Sequence, residues 1–264
     1  MHKVLISVAP VSAADTHPDP ASIAVDVIQS AHEGAGQVHL HVRDLHGALT
    51  PDLTAFKQTV EPIAAASDIV IQASTGGVSQ LTIEERCAPL YYDRVETCSL
   101  NVGSVNLGEA VYINPIQDVR YCVQEAIRQH IIPEIEVFEI GMIDTVLDLA
   151  KTYPMQEPLL FNIVLGHKGA APATIAALHA LRSFIPEGML WGVTHFGRRS
   201  DEIFAEAIRM GSSTVRVGFE DSDYINETVR VKTNAELVRH TAGLIRSLGC
   251  DVMTPAETRS LLKL

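Results

Sequence analysis

Residues 3–14 read KVLISVAPVSAA: an apolar run, Lys3–Ala9, stopped by Pro10 and continued by a turn of small residues. Such a run has the length and composition of a parallel strand buried on both faces. The turn after it decides between two α/β architectures. An open, doubly wound sheet would usually carry a glycine-rich GxGxxG turn after its first strand, where the backbone must approach a pyrophosphate closely. Here the turn is Ala9-Pro10-Val11-Ser12-Ala13-Ala14, with no glycine in it. The other architecture is a closed (β/α)₈ barrel, which makes no such demand.

Working outward from that strand, apolar β-branched runs alternate with amphipathic stretches to the end of the chain. The further strands are predicted at Gln37–Val42, Asp68–Ser74, Arg94–Leu100, Ile132–Glu139, Leu159–Leu165, Met189–Thr194 and Ser213–Val217. Helical patterns cover Pro20–Glu33, Pro51–Ala66, Ile116–Arg128, Met142–Lys151, Ala173–Phe184, Asp201–Met210 and Thr233–Leu248. The third crossover, Leu81–Leu90, is the weakest, because Pro89 forces its predecessor out of the α region. Eight βα units in 264 residues match the typical ~250 of one barrel. The expected fold is a single (β/α)₈ TIM barrel forming one catalytic domain over residues 1–264.

Composition narrows the function classes. With 47% hydrophobic and 20% charged residues, the chain is globular with a large core. A net charge of −12 argues against a nucleic-acid surface or an anionic membrane as partner. Cys87, Cys98, Cys122 and Cys250 show no CxxC spacing and read as thiols of a reducing compartment. The N-terminal apolar run is a soluble strand and not a targeting or membrane segment, so the expected location is cytoplasmic.

In a barrel, chemistry sits where the strands end. The second strand runs out in HLHVRD, and His39 and His41, two apart, share one face. Two imidazoles so placed are half of a zinc site, which needs about three protein ligands and an open position for catalysis. The third strand ends in Ser74-Thr75-Gly76-Gly77, where hydroxyls and glycine amides suit a carboxylate. The fourth brings Ser99 and Asn101 onto one face, and the fifth does the same with Glu134 and Glu136. Glu136 lies nearer the mouth; Glu134 is read as a salt-bridge partner for the helical layer. The eighth carries Arg216 and then Glu220-Asp221: one carboxylate here is a third ligand for the histidines, and Arg216 can hold Asp221 ionised as a base. His195 and Arg198 come after the seventh strand, His195 as an extra ligand, an acid or a loop residue.

VHLHVRD, QASTGG, SLNVGSVN, IPEIEVFEIGM, VLG and VRVGFED, in this order and at this spacing, resemble the β-keto acid cleavage enzyme family over nearly the whole chain. The resemblance implies a zinc-bearing barrel, usually a homotetramer, that condenses a small β-keto acid with acetyl-CoA to give acetoacetate and a new acyl-CoA. Carried over motif by motif, His39, His41 and Glu220 are the implied Zn²⁺ ligands and Asp221 with Arg216 the implied catalytic pair. Glu136 matches an inner acid, and Ser74, Gly77 and Ser99 match substrate-carboxylate contacts, Ser99 standing where the family has a threonine. One position departs from the pattern. A family glutamate after the first strand, which contacts a substrate amino group, aligns with Ala14 here, and Asp15 substitutes for it only through a one-residue shift. No phosphate loop marks the CoA site; Arg43, Arg198 and Arg199 are the basic candidates. Two other classes fit the residues less closely. One is a metal-dependent aldolase or lyase that needs no acetyl-CoA; the other is a non-enzymatic ligand-binding barrel.

Overall fold

The computed structural model describes residues 1–264. The first strands are β1 (Lys3–Val8), β2 (Ala35–Leu40), β3 (Val70–Ser74) and β4 (Thr97–Asn101). A hairpin, β5 (Val105–Leu107) and β6 (Ala110–Tyr112), precedes β7 (Ile132–Val137), β8 (Leu160–Leu165), β9 (Leu190–His195) and β10 (Thr214–Val217). A two-residue strand, β11 (Asp251–Val252), comes last. The helices are α1 (Pro20–Glu33), α2 (Thr54–Ala66), α3 (Ile83–Arg86), α4 (Ile116–Arg128) and α5 (Ile140–Thr152). They continue with α6 (Ile175–Phe184), α7 (Glu202–Arg209), α8 (Asn234–Ser247) and α9 (Pro255–Leu262).

β1–β4 and β7–β10 are all parallel, and β10 pairs back onto β1, Leu5 with Thr214 through Val8 with Val217. The ring is closed: this is a TIM barrel. Local chemistry starts the helices where the pattern predicts. Asp19 caps α1 through the Ser22 amide, with Pro20 in the first turn, and Thr233 and Glu236 form a capping box on α8. The third crossover breaks as Pro89 requires, into the single turn of α3 and a 3₁₀ turn, Ala88–Tyr91. Strand β4 begins at Thr97 and not at Arg94, which instead pairs at the surface with Glu61.

Strand alternation sorts the barrel into two materials. Ile6, Val8, Val38, Ile71, Cys98, Ile135, Phe161, Ile163, Val193 and Val215 face outward and pack under the helices, all buried. Each such side chain contributes roughly 1.5–3 kcal/mol on burial. The inward positions are polar instead: Ser7, Gln37, His39, Gln72, Ser74, Thr97, Ser99, Glu134, Glu136, Asn162, Thr194 and Arg216 are all buried. A bond from Gln37 Nε2 to Glu134 Oε2, 3.1 Å, joins non-adjacent strands β2 and β7, so it crosses the interior. This corrects the reading of Glu134 as a partner of the helical layer. It shares its face with Glu136, and period-two alternation takes both inside.

Two features were not predicted. The C-terminal segment adds β11 beside β1 and closes the N-terminal end of the barrel with α9. Arg259 of α9 pairs with Glu96 at 2.6 Å and with Asp68 at 3.3 Å, both just before strands. The β5–β6 hairpin folds over the opposite, C-terminal end. No helix is long and apolar enough to cross a membrane.

Candidate active site

A cavity of about 1000 Å³ opens at the C-terminal end of the barrel. Its lining includes His39, His41, Ser74, Gly77, Glu136, Arg216, Glu220 and Asp221, drawn from β2, β3, β7 and β10 or the turns after them. The β10 turn depends on Gly218. Its φ of +144° suits glycine alone, and a Cβ there would lie 2.0 Å from the Ala9 carbonyl oxygen. With the turn pressed on β1, the Glu220 amide donates to Ala9 O at 3.1 Å, and Glu220 and Asp221 come back over the barrel.

Three donor atoms converge there. His39 Nε2 and His41 Nε2 are 3.4 Å apart, and Glu220 Oε1 lies 3.4 Å from the second and 3.8 Å from the first. A tetrahedral ion with bonds of 2.0–2.1 Å spaces its donors roughly 3.3–3.4 Å apart. His39 Nδ1–H donates to Gln72 Oε1 at 2.6 Å, which leaves Nε2 bare. Burial, reinforced by Arg216 and His41, lowers the His39 pKa to about 3, so the ring is neutral. Burial opposes charge on Glu220, yet His41, His39 and Arg216 hold its carboxyl well below the usual range. Two imidazoles and a carboxylate are the donor chemistry of zinc, and the spacing fits it.

Beside this triad, Arg216 gathers the remaining charge. Its Nε and Nη2 donate to the two oxygens of Asp221 at 2.9 and 2.7 Å, a bidentate fork. Nη1 reaches Glu136 at 3.2 Å and Nη2 reaches Glu220 at 3.4 Å. Burial works against the guanidinium, but Asp221, Glu220 and Glu136 outweigh it and hold it charged. Burial pushes the Asp221 carboxyl up, against the pull of Arg216, and takes Glu136 to about 7. One guanidinium faces three carboxyl groups, an excess of two negative charges when all are ionised. A divalent cation on the triad would offset that excess.

Fewer of the groups expected to cradle a carboxylate are free than the motif suggested. Ser74 lines the cavity, and Ser99 stands behind it, donating to Ser74 Oγ at 3.3 Å. The Gly76 amide is taken by Ser74 Oγ at 3.2 Å, and the Tyr112 hydroxyl packs so close that a Cβ on Gly76 would overlap it, at 1.4 Å. Gly77 remains at the cavity wall. Asn101 is buried, with its Oδ1 accepting the Gly103 amide at 3.2 Å, and does not line the cavity. Asp15 stays on an exposed loop, its carboxylate accepting the His17 amide at 2.9 Å, so the structure does not bring it to the site.

Of the basic candidates, only Arg43 lines the cavity, donating to Gly47 O at 2.7 Å. Arg198 is corrected: it is 2% exposed, paired with Asp201 at 3.3 Å and stacked over Phe204, out of reach of a ligand. Arg199 lies over the Tyr224 ring, 4.2 Å from its centroid and outside the cavity. His195 ends β9 and takes no part in the triad. The strand-end pattern missed an aromatic wall. His167 stacks on Phe196 at 4.0 Å between centroids and leans on Phe138, while Tyr112 comes from the hairpin. His167 was the detectable member, since it stands just past the mouth end of β8, where the other strands carry their site residues.

Comparison with known proteins places the chain. The chain is 35% identical, over all of its length and 99% of the relative's, to the 3-keto-5-aminohexanoate cleavage enzyme of Fusobacterium nucleatum. It is 38% identical to the enzyme of the same name from Acetoanaerobium sticklandii, over 89% of this chain and 86% of that one. The 3-oxoadipate:acetyl-CoA acetyltransferase of Cupriavidus necator is 32% identical over 94% and 88%. Among solved structures, a ternary complex of ObcA with C4-CoA adduct and oxalate superposes with a TM-score of 0.76. It covers 93% of this chain and 66% of that one at 18% identity, a likeness of fold alone. The profile of the beta-keto acid cleavage enzyme family matches residues 3–264, and with the full-length relatives it establishes that the chain belongs to that family.

Proposed function

We propose that this protein is a zinc-dependent acyltransferase that converts a β-keto acid and acetyl-CoA into acetoacetate and a new acyl-CoA. The observation that carries this reading is the juxtaposition of two sets of groups in one cavity. The His39–His41–Glu220 donors face it, and Asp221, forked on Arg216, stands beside them. His39, His41 and Glu220 would hold the zinc, which would supply Lewis-acid polarisation of the bound substrate and so acidify its C2 proton.

The chain's own residues do the rest. Asp221 takes the C2 proton, its oxygens aimed by the Arg216 fork and its basicity raised by burial. The carbanion attacks the acetyl thioester carbon and expels CoA thiolate. The thiolate adds to C3, the C2–C3 bond breaks, and the proton on Asp221 returns to C2 of the departing acetoacetate. Ser74 and the Gly77 amide hold the substrate carboxylate, Ser99 orients Ser74, and Glu136 sets the charge on the far side of Arg216. Gly76 and Asn101 shape the cradle from behind. Arg43 and Lys168, the other cations lining the cavity, meet the phosphates of CoA. Residues 1–264 form one catalytic domain that assembles as a homotetramer, as the family resemblance implies. A cytoplasmic location suits the free thiols, Cys87, Cys98 and Cys122 buried and Cys250 half-buried.

The test is a three-component assay over a panel of β-keto acids with neutral, amino and carboxylate tails. Acetoacetate should form only when enzyme, keto acid and acetyl-CoA are all present. Cleavage without acetyl-CoA makes the protein a lyase, and no turnover of any panel member makes it a binding barrel.

A further inference from the structure

Below the metal donors, the barrel interior holds a carboxylate with no cationic partner. Glu134, on β7, is 2% exposed, and both of its identified donors are neutral amides. Gln72 Nε2 donates to Glu134 Oε2 at 2.6 Å and Gln37 Nε2 to the same oxygen at 3.1 Å. A buried carboxylate is costly to leave this way, and a chain that keeps one has a use for it or loses stability without return.

The bonds run in one direction from it. A carboxylate only accepts hydrogen bonds, so it turns the amide nitrogen of Gln72 toward itself. Gln72 Oε1 then faces the other way and accepts from His39 at 2.6 Å. His39 must therefore carry its proton on Nδ1, and Nε2 presents a lone pair to Glu220 and His41. The second amide has the same polarity. With Gln37 Nε2 turned to Glu134, its Oε1 accepts from the Thr97 hydroxyl at 3.2 Å. Gln72 is 1% exposed and Gln37 fully buried, so a reversed amide would have to find its partners inside the barrel.

We infer that Glu134 is a positioning residue that sets the tautomer of His39 through Gln72, and so prepares its Nε2 for the metal. This rests on the zinc reading of the triad given above. Glu134 reaches no substrate: it is absent from the cavity lining, one layer below Glu136 on the same strand. Its effect is on metal affinity, as is general for groups behind a ligating histidine.

Isosteric exchange separates polarity from packing. In E134Q the side chain keeps its shape but can donate, so Gln72 is free to reverse and His39 loses its fixed tautomer. In the double variant Q72E/E134Q the carboxylate moves to position 72. There it accepts directly from His39 Nδ1–H and from the amide nitrogen at position 134, so the His39 tautomer is restored although the bond between positions 72 and 134 now runs the other way. Zinc dissociation constants come from competition with a chromophoric chelator, and melting of the metal-free proteins is monitored in parallel. E134Q should bind zinc about 10–100-fold more weakly than the wild type. Q72E/E134Q should recover to within several-fold, with all three metal-free proteins melting cooperatively. Equal affinity for E134Q and wild type, or a double variant no tighter than E134Q, overturns the assignment of Glu134. A wild-type protein that binds no zinc breaks the metal reading itself, a separate and distinguishable failure.

Discussion

Glu134 and Glu136 stand two positions apart on β7, both inside the barrel, and the layers around them are built differently. The lower layer is Ser7, Gln37, Gln72, Thr97 and Glu134, linked by neutral donors with one carboxylate among them. The upper layer concentrates charge: Arg216 against Glu136, Glu220 and Asp221, with two histidines alongside. Neutral amides and hydroxyls are directional and hold their geometry whatever the ionic surroundings. Opposed charges are strong and adjustable, and an excess of one sign attracts a ligand of the other. In the proposed mechanism the lower layer therefore orients and the upper layer reacts. Most barrels fill such layers with branched aliphatic residues; here the stability comes from the apolar shell outside the strands, which leaves the interior for polar work.

Substitutions in the two layers should separate these roles. The largest effect belongs to the upper layer. D221N should lower kcat by about 10²–10⁴-fold, the usual worth of a general base, while zinc content by mass spectrometry stays at the wild-type level. Loss of zinc in this variant would make Asp221 a ligand and undo its division of labour with Glu220.

Glu136 offers a pH test. Its carboxyl rises from 4.5 to about 7 in the folded protein, chiefly by burial. A folded-state pKa raised above the unfolded one gives stability that is complete below the unfolded value and lost as pH climbs through the folded one. In chelator-treated protein, wild type should therefore lose about 3 kcal/mol relative to E136Q between pH 4.5 and 7. The difference between the two denaturation series is the quantity to measure, because His39, His167 and His195, lowered by burial, titrate in both proteins with the opposite sign. A difference that does not vary with pH would mean that folding does not raise the Glu136 carboxyl.

The smallest effect is expected lower down. T97V deletes the hydroxyl that donates to Gln37 Oε1 and leaves that acceptor buried without a partner. Urea denaturation should show a loss of about 1–3 kcal/mol. Zinc affinity should change little, because Glu134 still turns both amides. If T97V weakened zinc as much as E134Q, the lower layer would act as one unit and Glu134 would have no special place in it.

Most of the site was legible because barrel function is confined to strand ends and strand side chains alternate. His39 with His41, Ser74 and Arg216 follow from period and position, and all line the cavity; the roles of Gly77, Glu220 and Asp221 came with the family resemblance. The same rule applied to Glu134 leads inside the barrel, where neutral amides and not a cation of the helical layer meet it. Arg198 misled for the opposite reason: it comes after a strand end, but its guanidinium lies over Phe204 of α7 and Asp201 holds it there. Tyr112 was invisible, since nothing in the sequence of a loop says that a hairpin within it folds back over Gly76.

What the sequence by itself determined, then, was the barrel and the polar strand-end part of its mouth. Both come from local rules: the glycine-free turn after Val8, the βα period, and the alternation of side chains along each strand. Only the tertiary structure decided how those residues divide the work. Which oxygen of Arg216's partners faces the donors and which way Gln72 turns are set by contacts between β2, β3, β7 and β10, segments up to 179 positions apart in the chain. Hydrogen-bond direction and burial are properties of such contacts, and no window of sequence contains them.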